Sequence, residues 1–117
     1  MPFLTPAEPG APGASSGSWP FTLRADEPCF VGHFVGAPVL PGIAHVAIAL
    51  EACARLAPAP ATLVAIDDLR FLQPLGPGDA CAIAVVPDTP PSWRFEIRRD
   101  GALASSGRLV FAGDGAA

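Results

Sequence analysis

From Ile43 to Ala57 the chain runs without a glycine or proline, and only His45, Glu51 and Arg55 interrupt an apolar series. Alanine and leucine dominate it, and both are good helix formers. Pro41 suits a first helical turn, where its missing N–H does no harm. Pro58 and Pro60 then stop the helix. A helix that is apolar on nearly every side is expected to be buried all round, so the rest of the chain must wrap it. At roughly 15 residues it falls short of the roughly 20 needed to cross a bilayer, and no membrane span is expected.

The remaining composition bounds what does the wrapping. A chain of 117 residues, half of them hydrophobic, builds one core and therefore one domain. Its seven positive charges are all arginine, and with eleven acids the net charge is -4. That balance argues against nucleic acid as a partner. Cys29, Cys53 and Cys81 show no metal-ligand spacing, and Cys53 and Cys81 stand in apolar runs. They are expected to be buried thiols in a reducing cytoplasm, with no metal site and no cofactor. No cationic start followed by an apolar run opens the chain, so a signal peptide is not expected.

In chain order, residues 1–18 are rich in Pro, Gly, Ala and Ser and read as a flexible arm. A first strand is expected from Trp19 to Arg24, with Phe21 and Leu23 on one face. After the helix, Leu63 to Leu72 reads as a strand with Asp67 and Asp68 at a bulge or an exposed edge. QPLGPGD (73–79) is a turn. Ala80 to Val86 is a strand, and Trp93 to Arg99 alternates strictly, with Trp93, Phe95 and Ile97 inward and Arg94, Glu96 and Arg98 outward. Asp100-Gly101 is a strong hairpin signal, and Ala102 to Phe111 completes the set before a loose tail at 113–117. One domain over 19–112 follows, an α+β fold in which an antiparallel sheet curls around one long helix. Such a sheet leaves an edge and an apolar face for a second copy, so a dimer is expected.

Gly32-His33-Phe34, Gly36, Pro38, Leu40, Pro41 and Gly42 resemble the GHFxGxPxxPG signature of the hot-dog-fold 3-hydroxyacyl-ACP dehydratases. Downstream, DDLRFLQPLGPGD (67–79) is similar to that family's strand and turn of the form RFxxPxxPGD. With the helix between them, the two motifs span Glu27 to Asp79. The resemblance implies a hot-dog fold, a thioester substrate carried by acyl carrier protein or CoA, and a homodimer, with a heterodimer or higher stacking as variants.

Dehydrating a 3-hydroxyacyl thioester requires a base for the C2 proton, an acid for the departing hydroxyl and donors for the thioester oxygen. By resemblance, His33 is the base; an imidazole titrating near 6.5 is suited to that work at neutral pH. The backbone N–H of Gly42 matches the oxygen donor, and a helix start favours an anion there. The acid is where the sequence departs from the family. Ala47 stands where the resemblance calls for Glu or Asp, five residues after Gly42. Glu51, one turn further along, shares that face and is the candidate replacement. Its structural alternative is an ion pair with Arg55, in the favoured i, i+4 order. Phe30, Phe34, Pro38, Ala44 and Ala47 would line an acyl tunnel, which the small Ala47 widens.

His45 lies on a different side of the helix from Ala47 and reads as hydrogen-bonded and inert. Arg24, Arg70, Arg98 and Arg99 would help to dock an acidic carrier protein if they cluster, or are otherwise solvated strand positions. Two other functions stay open at this point. One is a hot-dog thioesterase, in which water attacks the carbonyl held at Gly42. The other is a non-catalytic acyl-binding or dimer-partner subunit, which Ala47 favours.

Overall fold

The computed structural model describes residues 16–26, 40–56, 62–89 and 92–112. Five strands and one helix follow in the order β1 (Gly17–Thr22), α1 (Gly42–Leu56), β2 (Leu63–Phe71), β3 (Ala80–Pro87), β4 (Ser92–Arg99) and β5 (Ala102–Phe111). All strand pairings are antiparallel, and the sheet order is β1-β3-β4-β5-β2. β3, β4 and β5 form a meander. α1 carries the chain from one edge of the sheet to the other.

The expected elements form within two residues of their expected ends. β1 starts at Gly17, so Gly17 and Ser18, assigned above to the arm, belong to the sheet. Residues 1–15 of the arm and the tail at 113–117 lie outside the described residues. Pro20 sits within β1 and is exposed; an edge strand is where a residue without an N–H is tolerated. The strict alternation of β4 is realised, with Phe95 and Ile97 fully buried and Arg94, Glu96 and Arg98 exposed. Asp100 and Gly101 both take positive φ, 52° and 83°, as a two-residue hairpin turn between twisted strands requires.

α1 rests on β1, β3 and β4. The core between them holds Ile48, Ala49, Ala52, Ile83, Val85, Phe95, Ile97 and Leu109, each no more than 1% exposed. Burying each of the larger side chains contributes about 1.5–3 kcal/mol. Cys53 and Cys81 are buried free thiols, as expected, and burial pushes them up to about 12 and about 11. Cys29 lies outside the described residues.

The expectation that α1 is buried on every side is corrected. Ile43 is 74% exposed, Ala54 is exposed, and Ala47, Leu50 and Glu51 are half-buried. These residues recur at helical spacing and form one stripe turned away from the sheet. Ala44, expected to line a tunnel with Ala47, is instead part of the core at 4% exposure.

β2 is the second edge strand, and none of its residues is buried. Its register against β5 shifts between Asp67 and Arg70, and Asp68 adopts φ 53°, so the expected bulge and the expected edge coincide. Arg108 holds Asp67 at 2.6 Å, while Arg94 reaches Asp68 at 3.4 Å and Asp88 at 3.1 Å. The Arg94 contacts are exposed and contribute little. The left-handed backbone decides what Asp68 tolerates. Asp68→Val is expected to cost about 1–2 kcal/mol, because a branched Cβ crowds the carbonyl there, while Asp68→Gly should be near neutral. Urea unfolding midpoints of the two variants measure the contrast; equal midpoints would contradict it.

Candidate active site

The site is built around the first turn of α1. Leu40, buried at 3%, donates its backbone N–H to the carbonyl of Leu75 at 2.7 Å. Pro41 follows with its fixed φ, and Ala44 donates to the Pro41 carbonyl at 2.9 Å to close the turn. Gly42 is the first helical residue, and no acidic side chain stands in the first turn. A helix start carries a partial positive charge, and among the described first-turn residues no carboxylate offsets it.

Gly42 stands close to a ring of the edge strand. A Cβ there would stand 3.0 Å from Cζ of Phe71, so any other residue would push against that ring. Phe71 ends β2 and is 50% exposed. Its ring also meets His45 edge to face, with centroids 5.0 Å apart and planes at 80°. The start of the helix is thus seated against the end of the edge strand.

His45 is 2% exposed, and its Nδ1 lies 2.8 Å from Oγ of Ser105, which is fully buried on β5. Burial lowers its pKa from 6.5 to about 4, against a hydrogen bond to the Leu40 backbone that works the other way. The ring is neutral at physiological pH and serves as a strut between α1 and β5.

Ala47 and Glu51 lie on the outer, half-buried stripe of α1, one turn apart. Arg55 packs over the Trp19 ring at 5.5 Å. His33, Phe34 and Pro38, with Gly32 and Gly36, lie outside the described residues. Sequence reasoning passed over Phe71 and Ser105 as ordinary strand positions. It also grouped Arg99 with the arginines that would dock a carrier protein or be solvated, although the parity of Trp93, Phe95 and Ile97 turns it inward. Among the described residues no group of three or more His, Cys, Asp or Glu could hold a metal ion, and no helix is long and apolar enough to cross a membrane.

One long helix laid on a curled antiparallel sheet, with a Pro-Gly step leading into its first turn, defines a hot-dog domain of the dehydratase type. The profile of the ApeI-like family, described as ApeI dehydratase, matches residues 12–108. The chain belongs to the ApeI-like dehydratase family. It is 33% identical over 108 residues to the 3-hydroxyacyl-[acyl-carrier-protein] dehydratase FabZ of Dechloromonas aromatica, covering 77% of this chain and 72% of that one. The FabZ of Thermomicrobium roseum is 34% identical over 101 residues, covering 77% and 68%. Among solved structures, the dehydratase heterocomplex ApeI:P from Xenorhabdus doucetiae superposes with a TM-score of 0.76 at 25% identity, over 92% of this chain and 91% of that one.

Proposed function

We propose that the protein dehydrates 3-hydroxyacyl thioesters carried by acyl carrier protein or CoA. The observation that carries this is the start of α1 at Gly42, directly after Leu40-Pro41, in a chain of a dehydratase family. In this mechanism the thioester oxygen accepts the Gly42 N–H at the positive end of α1. His33 removes the C2 proton, and the C3 hydroxyl leaves as water after taking a proton from an acid. The C2–C3 double bond forms from the released electron pair. Phe34, Pro38 and Ala47 line the acyl path.

Glu51 takes the role of the acid in this reading, on the same helical stripe as Ala47. Glu51→Gln is expected to lower kcat about 10²-fold, the lower range for a positioned proton donor. An unchanged steady-state rate would remove Glu51 from the role.

The active unit is a dimer built on β2. Among the described residues that strand has a neighbour on one side only, and it exposes Val64, Ile66, Leu69 and Phe71, a surface a second chain would cover. Phe71 touches Gly42, so the interface and the site adjoin. Cys53 and Cys81 as free thiols fit a reducing cytoplasm.

Ala47 supports a second reading, in which this chain is one half of a paired dehydratase and a homologous partner supplies the acid. The ApeI:P relative is itself a heterocomplex. The test is incubation with a 3-hydroxyacyl thioester and with the matching 2-enoyl thioester, following enoyl absorbance and free thiol. A change in absorbance without thiol release supports dehydration, and thiol release indicates a thioesterase. Silence of this chain alone, with activity restored by a co-purified homologue, supports the paired form. Silence in both overturns the proposal.

A further inference from the structure

We infer that Arg99 is a positioning residue for this site, acting through the 73–79 turn on both ends of the segment that carries His33. Arg99 ends β4 at an inward-facing position, where the alternation places Trp93, Phe95 and Ile97 before it. Its guanidinium grips the turn at three points. It donates to Oε1 of Gln73 at 3.0 Å, to the Pro74 carbonyl at 3.0 Å and to Oδ2 of Asp79 at 3.4 Å. The same Asp79 oxygen accepts the Gly76 N–H at 2.8 Å. A planar guanidinium with several fixed donors suits such a multi-point hold, and lysine does not.

The gripped turn is what the rest of the site hangs from. The Leu75 carbonyl holds the Leu40 N–H at 2.7 Å, two residues before the helix starts. At the other side of the turn, Leu23 donates to the Asp79 carbonyl at 3.1 Å and accepts from Gly78 at 2.8 Å. Leu23 and Leu40 are both buried, at 1% and 3%. They bracket residues 24–39, the stretch that contains His33. One turn therefore fixes where that stretch leaves the sheet and where it delivers the chain into Gly42. Arg99 sets the shape of the turn. A side chain of the β4 hairpin thereby sets where Leu23 and Leu40, the two anchors on either side of that stretch, are held. The catalytic half of this inference rests on the function proposed above; the mechanical half does not.

The two halves are tested separately. Amide hydrogen exchange is measured by NMR on the folded full chain for wild type, Arg99→Leu, Arg99→Lys and Gln73→Leu. Arg99→Leu is expected to speed exchange at Leu23, Leu40 and Gly78 about 10–100-fold, on the scale of a lost hydrogen bond to a charged group, with Ile83, Ile97 and Leu109 unchanged. Gln73→Leu removes one arm of the grip without touching the charge, and should give a smaller effect at the same amides. It decides the matter if Arg99→Leu does not fold. Unchanged exchange at Leu40 in both overturns the inference, whatever the protein catalyses. In the thioester assay, Arg99→Leu should lower kcat with KM little changed, and Arg99→Lys should recover only part of it. Faster exchange at Leu40 with an unchanged kcat would overturn the catalytic half.

Discussion

A His33→Ala variant is expected to lose about 10²–10⁴-fold in kcat toward a 3-hydroxyacyl thioester, the range that a positioned proton-transfer group supplies. The expectation rests on what the reaction asks for. The C2 proton is only weakly acidic even beside a thioester, so its removal needs a base aimed at it and a donor on the carbonyl oxygen to hold the developing charge. In the proposed mechanism the Gly42 N–H, at the start of α1, is the second. Among the side chains near that turn, His45 is unfit for the first. It is buried, hydrogen-bonded to Ser105, and lowered to about 4. In the function proposed above the abstraction falls to the imidazole of His33, in the GHF motif. A rate for His33→Ala equal to wild type, with an unfolding midpoint also equal, would remove His33 from the chemistry.

His45 produces the other large effect, on stability and not on turnover. Its folded pKa is about 4 against an ordinary 6.5, and desolvation is the main cause. Between those values the unfolded chain binds a proton that the folded chain does not. Stability from this group is therefore full above pH 6.5 and is lost as pH falls toward 4. The whole interval corresponds to about 3 kcal/mol. His45→Leu removes the proton uptake and leaves the Ser105 hydroxyl buried without its partner, at a cost of about 1–3 kcal/mol. The variant should thus be less stable than wild type at pH 7 and lose less stability on acidification to pH 4.5. Denaturant midpoints of both proteins at the two pH values give the comparison. Parallel losses would show that His45 does not carry the acid sensitivity.

Much of this architecture was legible in the chain, for identifiable reasons. Prolines punctuate both ends of α1, the Asp100-Gly101 pair specifies its own turn, and β4 alternates without exception; each is a local signal. The outer stripe of α1 was missed because alanine fits a buried or an open position equally well. Ala47 and Ala54 therefore lent the helix an apolar character that their surroundings do not bear out. The motifs around the Pro41-Gly42 step pointed to the dehydratase family, to which the chain belongs. What could not be read were contacts between residues far apart in the chain. Phe71 against Gly42, His45 with Ser105, and Arg99 with the 73–79 turn depend on how the sheet curls. Of these, only Arg99 left a trace, in the parity of its strand.

The open rim of β2 bears on how the chain must be handled in a cell. An edge strand of the described sheet that exposes Val64, Ile66, Leu69 and Phe71 is adhesive toward extended peptides. Copies of the chain made at high level are expected to clump through that rim.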